Sequence, residues 1–183
     1  VVERKSAIWF ATQWLTKKID NFGLTDIRLK SDLEASIVAV VHAAQKNRVH
    51  KNVEEAEPVA DHQAIGAMER FHRTMQEQLR AMKLEVESNL NNVIDSEWRA
   101  ARWLVRHASW LLERFAVSSN FHTTLYFRVK GKSYSGELVH MCENFLARNQ
   151  EKVMHGRKTS KWSSKWLMGT WIGKTDVTDE HLI

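Results

Sequence analysis

The chain has 183 residues, of which 43% are hydrophobic and 27% charged, with a formal charge of +5. This balance excludes the disordered and fibrous classes and leaves room for one domain or two small ones. No run approaches the roughly 18 unbroken apolar residues of a membrane span, and the N-terminus lacks the basic, apolar and small-residue zones of a secretion signal. No membrane partner and an intracellular location are therefore expected. The single cysteine, Cys142, excludes an internal disulfide and any zinc site built on two or more cysteines.

The first predicted element is a helix with Ile8, Ala11, Leu15 and Phe22 on one stripe and Gly23 where a left-handed C-terminal cap belongs. From Thr25 to Lys30 the pattern changes to period two, with Ile27 and Leu29 on one face and Arg28 and Lys30 on the other, which predicts a short strand ending at Asp32. Glu34 to Asn47 is apolar enough for a helix packed on a sheet, and Val49 to Glu55 is the next strand candidate. Strand, helix, strand predicts parallel pairing, with chemistry gathered at the carboxyl ends of the strands, beside Asp32 and the acids Glu54, Glu55 and Glu57. Pro58 then breaks the backbone.

Two long helices follow, about Ala64 to Leu90 and about Ser96 to Val117. The first has Ile65, Met68, Met75, Leu79, Met82, Val86 and Leu90 at helical spacing. Along another side run Glu69, Arg73, Gln76, Arg80 and Lys83, one carboxylate leading a ridge of donors and cations. The second is expected to be largely buried, through Trp98, Ala101, Val105, Ala108, Leu112 and Phe115. After Val117 the glycines multiply and strands are expected, with Leu138 to Leu146 and Trp166 to Ile172 the best candidates. The domain division expected from this change of character is 1–117 and 118–183.

Charge is unevenly spread: +1 over residues 1–117, +7 over 118–174 and −3 over the last nine. Within the basic region Lys158, Lys161 and Lys165 are interleaved with Trp162 and Trp166. Cations meet phosphates and flat rings lie on sugars or bases, so this pattern suits a polyanion; a solvated basic loop is the plain alternative. The other tryptophans are expected to be mostly core. The histidines read as satisfied or surface imidazoles rather than metal ligands, and His140 and Cys142, two apart, as facing opposite ways on a strand.

Asp32 and Glu69, 37 positions apart, form the sharpest constellation. On spacing alone a turn aspartate and a helix-surface glutamate is the favoured reading. The words around it resemble those of Copia-type retrotransposon integrases: Gln63, Gly66, Glu69, Arg70, Thr74, Leu79 and Arg80 match the segment carrying the family's third catalytic acid. Leu29-Lys30-Ser31-Asp32 is similar to the strand that supplies the second. Trp171-Ile172-Gly173-Lys174 and Glu180-His181-Leu182-Ile183 resemble the β-rich segment after the core.

The resemblance implies an α/β, partial ribonuclease H-like integrase core followed by a small β-rich region. It implies that three carboxylates hold two Mg2+ ions, or Mn2+, for DNA strand transfer, with Asp32 and Glu69 as two of the ligands. Arg73, Gln76, Arg80 and Lys83 would guide the DNA backbone, and Lys158, Lys161, Trp162, Lys165 and Trp166 would add nucleic-acid contacts. Implied partners are DNA, as element ends and target, and further copies of the chain in an intact integrase, which would act in the nucleus. No residue here occupies the place of the first catalytic aspartate, since Asp20 and Asp26 fall elsewhere, and Ile65 replaces the family's asparagine. The expectation is an integrase core truncated at its N-terminus that binds metal weakly or not at all and does not join strands alone. A non-catalytic nucleic-acid-binding or interaction module, or an inactive element remnant, is the alternative.

Overall fold

The structure is a computed structural model that describes residues 9–31, 34–50, 52–56, 66–95, 97–148, 162 and 164–183. It mixes helix and strand and divides into two compact units, Val1–Thr74 and Met75–Ile183.

In the first unit, helix α1 (Trp9–Asp20) is followed by strand β1 (Ile27–Ser31), helix α2 (Ala35–Asn47) and strand β2 (Asn52–Ala56). β1 and β2 pair in parallel, Ile27 opposite Asn52 and Ser31 opposite Ala56. This is the expected strand-helix-strand unit, with bounds shifted by a few residues at most. Gly23 takes φ +68 after α1, and its N–H bonds to the Asp20 carbonyl at 2.9 Å. Glycine adopts that left-handed conformation without a Cβ penalty.

α1 buries a different stripe from the one expected: Thr12, Thr16 and Ile19 are buried, while Ala11, Leu15 and Phe22 are only half-buried. A threonine tolerates burial on a helix when its hydroxyl finds a local carbonyl; Thr16 Oγ1 donates to Thr12 O at 2.9 Å. α2 packs on α1 and β1 and buries Val41 and Ala44. The loop after α2 is tied back by Arg48, whose Nε donates to Asp20 Oδ1 at 2.8 Å and whose Nη2 donates to Leu24 O at 2.9 Å.

Helix α3 (Gly66–Leu90) runs from the first unit into the second, which continues with α4 (Ala101–Phe115), α5 (Leu125–Lys130), β3 (Asn144–Arg148), β4 (Trp166–Thr170), β5 (Gly173–Lys174) and β6 (His181–Leu182). β3 pairs with β4, and β5 with β6, both antiparallel. Met82 and Val86 of α3, Ile94, Leu104 and Ala108 of α4, Met141, Cys142 and Trp171 form the core, with Met75 and Leu79 packed against it. The core therefore crosses Val117, and α4 shares it with the segment after that residue.

Three local expectations are corrected. α4 starts at Ala101, five residues later than its apolar pattern predicts, because the residues before it are taken up in turns: the Glu97 N–H donates to Asp95 Oδ1 at 3.0 Å and the Ala101 N–H to Trp98 O at 2.9 Å. A short helix, α5, stands where strands were expected. Thr124 caps its start by accepting the Phe127 N–H at 3.1 Å, and Gly131 closes its end at φ +70. The strand expected over Leu138 to Leu146 is displaced to Asn144–Arg148. Cys142 at φ +65 turns the chain just before it, held by its N–H to Trp171 O at 3.0 Å.

Candidate functional site

Glu69 lies in the first turn of α3 and is exposed. Arg73, Gln76, Arg80 and Lys83 follow it along the same helix, every one exposed, while Met82 and Val86 are buried and Met75 and Leu79 half-buried. From Met75 to Val86 the helical period separates a packed stripe from a solvated side, whereas Met68 to Thr74 is exposed all round, and the expected burial of Met68 and Leu90 is corrected because nothing among the described residues covers the two ends of the helix. The ridge ends in an ion pair: Lys83 Nζ lies 3.1 Å from Glu87 Oε1. The Glu87 carboxyl is held below its ordinary pKa, first by the Ile94 N–H and then by Lys83.

Asp32 follows directly on Ser31, the last residue of β1, and lies outside the described residues together with Lys158 and Lys161. Its chain position is the carboxyl end of a strand in a parallel pair. Among the described residues no group of three or more His, Cys, Asp or Glu side chains is placed to hold a metal ion. An exposed carboxylate at the start of a helix is chemically fit to ligate a hard cation through oxygen, and Glu69 meets that condition.

In the basic region, Trp162 is 97% and Trp166 56% exposed, and Lys165 is exposed. The Ser164 hydroxyl donates to the Trp166 carbonyl at 2.7 Å and accepts the Trp166 N–H at 3.2 Å, which fixes the entry of β4 beside these side chains. Residues 144–148 alternate in burial, Phe145 and Ala147 half-buried and Asn144, Leu146 and Arg148 exposed, whereas along 166–170 only Gly169 is half-buried and Trp166, Leu167, Met168 and Thr170 are all exposed. The covered side is closed by the C-terminal segment: the Phe145 ring stacks on His181 at 5.7 Å between centroids, and a Cβ on Gly169 would collide with Ile183 Cγ2.

Of the tryptophans outside the basic region, Trp110 and Trp171 are buried and Trp98 and Trp103 pack against the core, as expected of most of them, while Trp9 and Trp14 depart from that expectation and are exposed on α1. His107 is not a satisfied imidazole: it is buried with Nδ1 unpaired among the described residues, and burial first of all lowers its pKa to about 4. Its ring meets Trp171 edge-on at 4.9 Å and stacks on Trp110 at 5.5 Å. His140 and Cys142 do have different surroundings, though not on a strand. His140 is exposed, with Nδ1 2.6 Å from Glu85 Oε1, a bond that raises its pKa. Cys142 is buried, and burial pushes its thiol pKa up, which disfavours the thiolate.

Sequence reasoning missed a buried polar cluster. The Arg114 guanidinium lies over the Trp110 ring at 4.1 Å and donates to Asp176 O at 3.3 Å. Nearby, Lys174 Nζ donates to Tyr134 OH at 3.1 Å and to Asp179 Oδ2 at 3.0 Å, and Tyr134 OH donates to the same carboxylate at 2.8 Å. Burial works against the Lys174 ammonium, but its bonds to Tyr134 and Asp179 prevail and raise its pKa; for Tyr134, burial dominates and raises the phenol. The available signal was Arg114 four positions after Trp110, inside the stripe of a helix otherwise read as apolar.

No protein-family profile matches this chain, and neither a curated protein nor a solved structure matches it. Among the described residues no helix is long and apolar enough to cross a membrane.

Proposed function

We propose that this chain carries part of a retrotransposon-type integrase core with a basic extension, and that its ligand is DNA. The observation that carries the reading is the solvated ridge of α3, in which Glu69 leads Arg73, Gln76, Arg80 and Lys83 while Met82 and Val86 hold the same helix in the core. Donors and cations repeated at helical spacing along one side of a helix suit contacts to phosphates, which position a DNA backbone without reading its sequence. The parallel β1–β2 pair adds support, since Asp32 follows immediately on the carboxyl end of β1.

On this reading Asp32 and Glu69 are two of three acids for Mg2+ or Mn2+. When bound, the ions supply charge neutralisation at the attacking and leaving oxygens of phosphoryl transfer. The residues of this chain hold the cations and fix the phosphate backbone beside them.

Calorimetric titration with Mg2+ tests the acidic pair. Weak binding that disappears in both Asp32→Asn and Glu69→Gln is expected, and equal affinity in the parent and both variants removes the pair from the mechanism. Duplex DNA affinity should fall steeply as salt rises, and less steeply in an Arg73→Gln, Arg80→Gln double variant, by about one unit of log–log slope for each phosphate no longer neutralised. A salt-independent affinity would exclude phosphate contacts as the basis of binding.

A further inference from the structure

The β3–β4 hairpin has one face partly covered, at Phe145, Ala147 and Gly169 though not at Leu167, and one bare. Phe145 and Gly169 point to the side closed by His181 and Ile183. On the other side the ladder register sets Asn144 opposite Thr170, Leu146 opposite Met168 and Arg148 opposite Trp166. These six side chains are exposed, Leu146 at 60%, Met168 at 75% and Trp166 at 56%.

Three large apolar side chains with one cation and no carboxylate is an unusual solvent face, because an antiparallel sheet in water normally turns polar side chains outward. The composition fits one kind of occupant. A duplex presents phosphates on its outside and hides its base faces, so a surface that grips it is dominated by cations. An unpaired strand opens its base faces, which stack on aromatic and apolar side chains while a few cations track the backbone. Trp166 offers the ring, Leu146 and Met168 extend the apolar platform, and Arg148 across the ladder and Lys165 next in the chain supply the charge. Five residues of strand give a platform about 13 Å long, at a rise of about 3.3 Å per residue, room for about two or three nucleotides.

We propose that the bare face of the β3–β4 hairpin binds unpaired nucleotides of a DNA strand by stacking on Trp166, with Leu146 and Met168 as the adjoining platform and Arg148 and Lys165 on the phosphates. This deepens the DNA reading above and rests on it. It assigns the ridge of α3 and the hairpin different forms of the same ligand, duplex for the first and frayed or unpaired strand for the second.

The test compares binding of the 183-residue chain to a fluorescent oligothymidylate and to a mixed-sequence duplex of the same length, by anisotropy at two salt concentrations. The expected result is measurable binding of both, with Trp166→Ala weakening the oligothymidylate about tenfold or more and the duplex by less than about twofold. Trp166→Phe, which keeps a ring, should retain most single-strand affinity. A Leu146→Ser, Met168→Ser variant should lose several-fold; every substituted side chain is exposed, so circular dichroism should match the parent. Single-strand binding unchanged in both Trp166→Ala and the double variant, or absent while duplex binding persists, overturns this inference and leaves the DNA reading standing. Failure to bind either probe overturns both. Sedimentation provides a separate outcome: a dimer dissociated by the Leu146→Ser, Met168→Ser change would make the face an interface between copies of the chain and overturn the proposal.

Discussion

The two compact units solve the problem of burial with different means. In the first, the buried apolar side chains among the described residues are Ile19, Val41 and Ala44, joined by Thr12, Thr16 and the Arg48 anchor, while Trp9, Phe10 and Trp14 stay exposed. Its described strands are a single parallel pair, and parallel strands are normally stable only when covered on both faces. The second unit gathers eight buried residues from α3, α4, the connection between them and the irregular segments around Met141 and Trp171. It then seals one flank with the stacked cluster of Trp110, Arg114, Tyr134 and Lys174. The lesson is that irregular backbone can build the better core when each turn delivers a large side chain and a hydrogen-bonded anchor. Trp171 is fully buried although it lies in no strand; its N–H bonds to Glu143 O at 2.9 Å and its indole donates to His181 Nδ1 at 2.9 Å.

That contrast can be broken most directly at Trp171. Trp171→Ala is expected to destabilise the second unit by about 4 kcal/mol, from lost burial and the cavity left behind. Ile19→Ala in the first unit should cost about 2 kcal/mol, at the lower end for aliphatic truncation, because half-exposed neighbours relax into the space. Hydrogen exchange read by mass spectrometry checks both: Trp171→Ala should remove protection over Ala101–Phe115. A larger loss over Ala35–Asn47 than over Ala101–Phe115 would reverse the comparison.

His107 sharpens it with pH. Its folded pKa of about 4 lies below the ordinary value of 6.5, chiefly through burial. The unfolded chain therefore binds the extra proton between these values, and stability falls as pH drops from about 6.5 to about 4. The full effect is on the order of 3 kcal/mol. His140 acts in the opposite sense, since its pKa is raised by Glu85: its contribution is complete below about 6.5 and is lost as pH rises through the folded value. Urea midpoints measured from pH 4 to pH 8 should show the acid loss in the parent and a much smaller one in His107→Phe. An unchanged acid slope in that variant would show that the burial of His107 is not its source.

The smallest expected effect is at Thr124. Thr124→Ala removes the cap of α5 and should cost about 1 kcal/mol, whereas Thr124→Ser should cost less. Equal loss in both would attribute the effect to the missing methyl group rather than to the hydroxyl.

The candidate site was legible where it lies on one helix. Glu69, Arg73, Gln76, Arg80 and Lys83 form a solvated ridge because a residue's direction on a helix follows from its number. The availability of Trp162 and Trp166 also follows the reading of the basic region. The bare hairpin face was hidden, because Asn144-Phe145-Leu146-Ala147-Arg148 has no alternation of polar and apolar types; only the strand register and the covering by His181 and Ile183 separate its two sides.

The amino-acid pattern alone determined β1, α2, their parallel partner β2 and the extent of α3, together with the left-handed turn at Gly23. Each depends on periodicity or backbone sterics within a few residues. Tertiary structure alone decided that Arg114 and Lys174 are buried, that Cys142 turns the chain under Trp171, and that the core crosses Val117. Those outcomes depend on partners as distant in sequence as Arg114 and Asp176. A buried guanidinium is tolerated only where rings and carbonyls from remote segments replace its water, and no local pattern encodes which remote segments arrive.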